Sequence, residues 1–400
     1  MPSQITTATP LDTASDSHCD VRPPRRGHVL AVGALPPPVT GLSTAFQLFC
    51  EGMPSRGWQL STLDISDRSG DRRNASFTWR RALDVLRIIA QAWWRVRRAD
   101  VLYITITHST VGFLRDALLI LGARLFRVPV VVHHHGGAFH QFYETAPRWL
   151  RPVIRLALNH TRFIIALGES LRHEFSMVSD AEARVRVVPN TCTTPAIAPR
   201  PPPAGTLRVL YLSNLMVEKG YLDVLDAAAL VGQRLPGWNV EFHFAGKFHL
   251  GGDAFRTTEE MEDNFRHRAS QIGGATKVVL HGVVGGEEKA ELLRRADVFV
   301  LPTYYRDEGQ PISIIEALTS ALPVVVTAHR GIPELLPDDM GLLVVPSHDG
   351  AAIADRLATL ASQPRFYTHM SRAASRRSRD FSLDSHLGAL DRLHAEAARR

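Results

Sequence analysis

The chain has 400 residues, of which 45% are hydrophobic and 22% are charged, a balance typical of a globular protein rather than a disordered one. Domains of about 100 to 200 residues are usual, so this length predicts two domains. The net charge of +6 is uneven, because residues 1–200 carry 24 Arg against 15 Asp and Glu, whereas residues 201–400 are net −3. This asymmetry makes the first half the one expected to meet an anionic surface, whether membrane or nucleic acid, and ordinary solvation explains it equally well.

The cysteines and the apolar segments exclude further classes of protein. Cys19, Cys50 and Cys192 have no paired spacing, which argues against a disulfide framework or a thiolate metal site and indicates a reducing compartment. Residues 1–26 have no apolar signal core and are predicted to be a disordered leader. The longest apolar region, residues 111–132, contains four charged residues and is not expected to span a membrane. We therefore expect a cytoplasmic protein, either free or peripheral at the inner face of the membrane.

Short β-branched runs alternate with amphipathic stretches along the rest of the chain. The candidate strands of the first half are HVLAVGAL, WQLSTLDI, DVLYITIT, VPVVVHHH, FIIALG and VRVVPN. A proline-rich linker is predicted at residues 193–206. The strands predicted after it are LRVLYLSNL, VEFHFAG, KVVLHGVV, DVFVLPTYY, LPVVVT and GLLVVP. Nearly continuous apolar strands separated by helices are typical of parallel sheets covered on both faces.

The sequence therefore predicts an α/β fold of two tandem, doubly wound, Rossmann-like domains that face a cleft. Their predicted ranges are 27–200 and 201–381, and a helical tail, 382–400, can pack back on the N-terminal domain. Ligands of open parallel sheets bind beyond the carboxyl ends of the strands. The loops that follow the strands are thus where functional groups are expected.

The stretch EGQPISIIEAL places two carboxylates near the start of a predicted helix, with Glu308 in the preceding loop and Glu316 inside the helix. Pro311 suits the first turn, because its missing N–H has no intrahelical partner there. One apolar stripe runs from Ile312 to Leu322, and Glu316 lies on its flank. A carboxylate there can accept hydroxyls of a ribose, while the amides at the helix start favour a phosphate. The alternative is a pair of ordinary charges beside a helix.

Lys219 is a further candidate, since it precedes Gly220 where a strand ends and a helix begins. Its ammonium suits a diphosphate, and a surface lysine is the alternative. Three histidines, His133 to His135, end another strand. A hydrogen bond from one of them to a bound polar molecule is favoured over zinc, because no partner ligands stand at a recognisable spacing. The dinucleotide and P-loop glycine motifs do not occur in the chain.

Five motifs together resemble a known family: EGQPISIIEAL, ALPVVVTAHRGIPELL, DDMGLLVVP, NLMVEKG and HHHGGAF. As a set they are similar to the family-4 retaining glycosyltransferases of the two-domain GT-B fold. The resemblance implies metal-independent transfer of a sugar from a nucleoside-diphosphate donor to a glycan or lipid-linked acceptor, in cell-surface polysaccharide synthesis. It implies neither a cofactor nor a nucleic-acid partner.

The resemblance also implies roles for individual residues. His135 would sit at the reacting carbon, and Glu308 would face the donor sugar. Lys219 would contact the diphosphate, Glu316 would hold the ribose, and Val283 would lie near the base. The implied donor-binding residues are Gly41, Asn214, Lys219, Val283, Gly309, Gln310, Pro311 and Glu316.

One position departs from the family pattern. Asn214 stands where the family often has arginine, so that either another cation compensates or donor binding is weaker. The candidate cations are Arg306, Lys247 and Arg330. Two rival functions stay open on this sequence: a phosphorylase or epimerase on the same fold, and a non-catalytic protein that binds nucleotide or glycan.

A further segment, residues 79–100, combines three Trp with six Arg. This composition predicts a helix that lies at an anionic membrane surface. The alternative is a sheet-covering helix with a basic solvent face. Either way, the acceptor is expected to meet the first domain, since the donor motifs are concentrated in the second.

Overall fold

The computed structural model describes residues 26–66, 79–251 and 254–399, which form two six-stranded parallel sheets with interleaved helices. The strand orders are β2-β1-β3-β4-β5-β6 and β12-β11-β10-β7-β8-β9. The predicted α/β fold of two doubly wound domains is confirmed. The predicted leader lies outside the described residues, apart from Arg26.

The first sheet contains β1 (Gly27–Gly33), β2 (Trp58–Asp64), β3 (Val101–Thr105), β4 (Val130–His133), β5 (Phe163–Ala166) and β6 (Val185–Val187). The helices of this half are α1 (Gly41–Gly52), α2 (Trp79–Val96), α3 (Thr110–Leu125), α4 (Phe139–Thr145), α5 (Leu150–Leu158) and α6 (Ala181–Arg184). Short 3-10 helices cover Met53–Arg56 and Glu169–Phe175. All six strands end earlier than predicted, because the last residues of each predicted run already belong to the loop at the carboxyl edge.

The second sheet contains β7 (Thr206–Leu212), β8 (Asn239–Ala245), β9 (Thr276–Gly282), β10 (Val298–Leu301), β11 (Val324–Thr327) and β12 (Val344–Val345). The helices of this half are α7 (Tyr221–Arg234), α8 (Thr258–Gln271), α9 (Gly286–Arg295), α10 (Ile312–Thr319), α11 (Gly350–Ser362), α12 (Pro364–Arg377) and α13 (Leu383–Ala398). Its 3-10 helices are Val217–Lys219, Pro333–Leu335, Asp338–Leu343 and Ser378–Phe381.

The central strands are buried at every position, as in β3 and β10. Strands in a parallel sheet have helices on both faces, which explains why their sequences are continuous apolar runs. Two layers of helices cover the first sheet. One layer, α2, α3 and α5, packs on it through Ile89, Phe113 and Ile154, and the other, α1 and α13, through Phe46 and Leu390.

The terminal helix α13 thus returns to the first domain. The indole N–H of Trp58 donates to Asp391 Oδ1 over 2.8 Å, and His386 Nδ1 bonds to the Pro189 carbonyl over 2.7 Å. The predicted linker, by contrast, packs along the second domain. The Arg200 guanidinium donates to four of its carbonyls, those of Leu293, Arg294, Ala296 and Ser320.

Across residues 26–66, 79–251 and 254–399, none of the helices combines the length and the apolar character that a bilayer crossing requires.

Candidate active site

Loops from the two domains touch between the sheets, at the carboxyl ends of β4 and β10. The Gly137 N–H donates to the Asp307 carbonyl over 3.3 Å. A Cβ added to Gly137 would lie only 2.0 Å from the Glu308 carbonyl oxygen, so the backbones fit together only with glycine there. The Gly309 backbone lies against the His135 carbonyl in the same way. The structure thus brings the first domain's histidine loop to the loop that carries Glu308.

Lys219 and Glu308 form an ion pair beneath this contact. Their Nζ and Oε2 atoms are 2.5 Å apart, and the side chains are 15% and 8% exposed. The hydroxyl of the fully buried Thr303 donates to the same carboxylate oxygen over 3.1 Å. The Lys219 ammonium also lies 4.9 Å from the centre of the Tyr305 ring. The structure therefore holds together a lysine from one loop and a carboxylate from another. The motifs implied that both residues bind the donor, but they did not show this contact.

The position of Lys219 follows from the turn that carries it. A short 3-10 helix, Val217–Lys219, ends at Gly220, which adopts a left-handed conformation with φ 75°. A Cβ on Gly220 would meet the Pro302 carbonyl at 2.4 Å, so this loop can approach the end of β10 only with glycine. The Tyr211 hydroxyl donates to the Asn214 carbonyl over 3.0 Å and holds the other side of the turn.

A second ion pair joins Glu316 on α10 to Lys289 on α9, with Oε1 and Nζ 2.5 Å apart. The prediction of a single apolar stripe up to Leu322 is wrong, because α10 ends at Thr319 and is buried on most of its sides. Glu316 is only 7% exposed and needs this partner. Pro311 is the N-cap residue, directly before the helix begins. Sequence reasoning missed Lys289, whose only signal is that it is one of four lysines in the chain.

A buried asparagine links His135 to the second domain. The Asn190 side-chain N–H donates to the Gln310 carbonyl over 2.9 Å. A carbonyl can only accept, so the orientation of the amide is fixed and Asn190 Oδ1 faces His135 Nδ1 at 3.3 Å. His135 therefore carries its proton on Nδ1, and Nε2 holds a free lone pair. Asn190 was also missed, although it ends a predicted strand.

His133, the last residue of β4, and the two histidines that follow it, His134 and His135, are neutral rings. Burial lowers the pKa of His134 and of His135 to about 3, and it also lowers that of His133 well below its ordinary value. The Tyr103 hydroxyl bonds to His133 Nδ1 over 2.7 Å, and the His133 and His135 rings lie 3.9 Å apart. Nε2 of His135 is buried and has no hydrogen-bond partner within the described part of the chain.

A further pair spans the two domains at the edge of the site. His108 Nε2, after β3, lies 3.7 Å from Asp307 Oδ2, after β10. The nearby His108 ring, more than the burial that opposes it, holds the pKa of Asp307 well below its usual value. Neither residue was singled out from the sequence.

The remaining predicted residues lie more openly on the carboxyl edges. Val283 is 74% exposed in the loop between β9 and α9. Asn214 is exposed after β7. Gly41 begins α1 after the N-cap Thr40, and a Cβ there would meet nothing within 4 Å, so the structure shows no close contact between Gly41 and the Glu308 loop.

Two of the three cations considered as substitutes for arginine at position 214 are occupied by carboxylates. Arg306 pairs with its neighbour Asp307 over 3.0 Å, and Arg330 with Glu174 over 3.5 Å. Lys247 is exposed, and its carbonyl accepts from the N–H of Leu215, the residue after Asn214, over 2.9 Å. Lys247 is thus the one of these three that lies beside Asn214.

Comparisons with known proteins agree with this arrangement. The family model described as "Glycosyltransferase Family 4" matches residues 39–194, and the one described as "Glycosyl transferases group 1" matches residues 196–377. The GDP-mannose:cellobiosyl-diphosphopolyprenol alpha-mannosyltransferase of Xanthomonas oryzae pv. oryzae is 28% identical over 269 residues, 66% of each chain. Mannosylfructose-phosphate synthase of Agrobacterium fabrum is 27% identical over 172 residues, 43% of this chain.

This chain spans only part of its first curated relatives, 36% of that synthase for example. Among solved structures, Anabaena Alr3699/HepE in complex with UDP has a TM-score of 0.64 at 15% identity, over 91% of this chain and 98% of that chain. A likeness at this identity shows the fold alone. The two family models, however, cover the two domains in order. The chain therefore belongs to the family-4 glycosyltransferases with the GT-B fold.

Proposed function

We propose that this chain transfers a sugar from a nucleoside-diphosphate donor to a glycan or lipid-linked acceptor, with the anomeric configuration retained and without a metal ion. The observation that carries the proposal is the pair of lysine–carboxylate contacts on the second domain, Lys219–Glu308 and Lys289–Glu316. Ammonium groups recognise phosphates, and carboxylates accept the hydroxyls of sugars. The complex of Anabaena HepE with UDP supports a nucleotide donor.

In this proposal the second domain stabilises the leaving diphosphate. Charge that develops on its oxygens is met by Lys219 and by the backbone amides that precede and begin α10. Lys247, beside Asn214, supplies the charge that arginine supplies in the family pattern. Glu308 accepts hydroxyls of the donor sugar, and Glu316 those of the ribose. Val283 lies against the base and Gly41 beside the diphosphate.

The first domain supplies an uncharged wall for the reacting sugar. The free lone pair of His135 Nε2 accepts a hydroxyl of the donor at the reacting carbon. Because the pKa of His135 is lowered to about 3, this ring stays an acceptor across the physiological range. Contact between the two loops excludes water, which limits hydrolysis of the donor.

The acceptor belongs to cell-surface polysaccharide synthesis, and the protein acts at the inner face of the membrane. The Xanthomonas relative is named for transfer to a diphosphopolyprenol-linked sugar, which supports a lipid-linked acceptor for this chain. The excess of arginine in residues 1–200 supports a partner with an anionic surface.

The test begins with thermal-shift screening of uridine, guanosine and adenosine diphosphates and their sugars. With the donor thus found, Glu308→Gln is expected to lower the rate of transfer by about 10³-fold while the protein still melts cooperatively. The matched control is Glu287→Gln, an exposed carboxylate on α9. A full rate in Glu308→Gln would remove the assignment. Free nucleotide without a glycosylated product would favour the phosphorylase or epimerase alternative, and nucleotide binding without turnover a non-catalytic protein.

A further inference from the structure

Large apolar side chains are concentrated on one outer surface of the first domain. Of the eleven that are exposed among the described residues, eight lie on α2 and α3 or along α5 and its N-cap. On α3, Val111, Leu118 and Leu125 are 74%, 44% and 72% exposed. Their spacing of seven residues places them in one line along the helix. The other five are Leu83, Leu86, Trp94, Trp149 and Leu156.

These helices form one continuous layer, with α3 between α2 and α5. Their inner faces share a single core against the first sheet, so their outer faces point to the same side. The indole N–H of Trp93 on α2 donates to the carbonyl of Leu118 on α3 over 3.1 Å, which joins the two helices directly. The exposed apolar residues therefore belong to one surface rather than to three separate ones.

The same surface is positively charged. Exposed arginines lie at or just beyond the C-terminal ends of α2 and α3, at positions 97, 98, 124 and 127, and on α5 at position 155, while one exposed carboxylate, Asp100, follows α2. Among the side chains that the structure describes on α2, α3 and α5, the one carboxylate is Asp116, which is fully buried and pairs with Arg115 over 2.8 Å. Apolar side chains along the helices, with arginines gathered at one edge and on α5, match the boundary between acyl chains and anionic headgroups.

The surface also begins beside the cleft. A helix that follows a parallel strand starts at the carboxyl edge of the sheet, where ligands bind. Val111 is three residues after His108, whose ring lies 3.7 Å from Asp307 of the Glu308 loop. The line on α3 thus runs from the mouth of the cleft toward the opposite edge of the domain.

From these observations we infer that the outer face of α2, α3 and α5 lies on an anionic lipid bilayer. Leucines and tryptophans enter the boundary of the acyl chains, and the arginines contact the headgroup phosphates. The α3 line then brings the lipid surface to the mouth of the cleft. Binding to lipid needs no sugar transfer. The inference rests on the proposed function only where it relates the membrane surface to a lipid-linked acceptor.

A second copy of the chain fits this face less well than a bilayer does. A two-fold contact places the same patch on both subunits, so the arginines of one copy would face those of the other. The described side chains of these three helices include no exposed carboxylate, and the exposed Asp100 after α2 is outnumbered by five exposed arginines, so such a contact has little charge complement. Anionic lipid provides that complement for the arginines.

The test uses the full chain and vesicles of phosphatidylcholine with or without phosphatidylglycerol. We expect cosedimentation with the anionic vesicles at low salt, weakened by salt, and little with neutral ones. Leu118→Glu with Leu125→Glu should lower the affinity by about tenfold or more, and so should Arg124→Glu with Arg127→Glu. Their matched controls are Leu342→Glu, at a residue 62% exposed on the second domain, and Arg365→Glu, on α12.

No binding of the unaltered protein to anionic vesicles at low salt would overturn the inference. An equal loss in the controls would overturn it too, as would a dimer that Leu118→Glu with Leu125→Glu converts to a monomer. The Glu308→Gln variant separates the two proposals, since we expect it to bind vesicles like the unaltered protein. If it transferred sugar at the full rate and bound vesicles as expected, the membrane surface would stand and the catalytic assignment would fall.

Discussion

The two domains share one architecture and differ in the chemistry at the carboxyl edges of their sheets. Three histidines stand at the end of β4 of the first domain, and burial lowers the pKa of each. The second domain places two lysine–carboxylate ion pairs at the corresponding edge. All four lysines of the chain lie in residues 201–400. The difference teaches that a strand-to-helix loop fixes where a functional group stands, whereas the residue in it decides whether the group is neutral or charged.

The surfaces differ in the same way. Among the described residues, eight of the eleven exposed large apolar side chains lie on three helices of the first domain or on the N-cap of one of them, while residues 201–400 are net negative in sequence. A neutral site wall with a basic, apolar exterior suits a domain that receives an acceptor from a membrane. Ion pairs suit a domain that binds a charged donor. The following experiments test this division, beginning with the largest expected effect.

The first domain should be the more sensitive to acid. Burial lowers the pKa of His134 to about 3 and that of His394 to about 4, and it lowers that of His133 as well. Below pH 6.5, the ordinary pKa, the unfolded chain binds protons that the folded one does not. Stability is thus complete above that pH and lost as the pH falls. Each histidine removes about 1.4 kcal/mol per pH unit, roughly 6 kcal/mol for these three at about pH 5, and the lowered pKa of His135 adds to this loss.

Tryptophan fluorescence can measure this loss for one domain. Trp238 is the single tryptophan of residues 201–400, so in Trp238→Phe the emission reports on the first half during unfolding by urea. His134→Phe is the matched variant, because the ring lies among Phe139 and Phe175 and its nitrogens have no hydrogen-bond partner in the described structure. We expect His134→Phe to lower by one the number of protons that are taken up on unfolding, and so to reduce the slope of the unfolding free energy against pH. An unchanged slope would contradict the assignment of the effect to these histidines.

Loss of the Lys219 ammonium should have the next largest effect, which is on the rate of transfer. Lys219→Met removes a positive charge placed to meet the leaving diphosphate, so kcat at saturating donor should fall by about 10² to 10³-fold. Lys277→Met is the control, because Lys277 is exposed near the amino end of β9, away from the site. Similar rates for the two variants would show that Lys219 serves only to neutralise Glu308.

The second ion pair should affect binding more than turnover. Glu316→Gln keeps the shape of the side chain but weakens its acceptance of ribose hydroxyls, so the Kd of the nucleotide should rise by about tenfold. The matched ligand is the 2′-deoxy nucleotide, for which the rise should be smaller. Isothermal calorimetry measures both values. An equal rise for the two ligands would indicate that Glu316 only supports Lys289.

The smallest effect on catalysis is expected for substitutions of Asn190, which joins the two domains. Asn190→Ala removes the acceptor of the His135 Nδ1 proton and the contact with Gln310, and kcat/KM should fall by about fivefold. Asn190→Asp keeps the acceptor but loses the N–H that donates to Gln310. Nitrogen NMR should therefore show the Nδ1–H tautomer of His135 in the unaltered protein and in the aspartate variant. In the alanine variant it should show a mixture of the two His135 tautomers. The same tautomer in all three would refute this positioning role.

The sequence by itself determined the sheets, because a strand covered on both faces must be apolar at nearly every position. That constraint is visible in runs such as VPVVVHHH and LPVVVT, and it predicted all twelve strands. Loops rich in glycine and charge marked the carboxyl edges, and the motifs around Glu308 pointed to the family. The helix after Glu308 was predicted, but it ends at Thr319, before Leu322, and its burial was underestimated, because a stripe drawn on one helix does not show how many neighbours will cover it.

Only the tertiary structure decided which groups meet. Lys289 lies 27 residues before Glu316, and Asn190 lies 120 residues before Gln310. Contacts over such separations depend on how the helices pack on each sheet and how the two domains approach, which no local pattern encodes. The α2–α3–α5 face arises in the same way, since each helix shows only a few exposed apolar residues and the layer joins them into one surface.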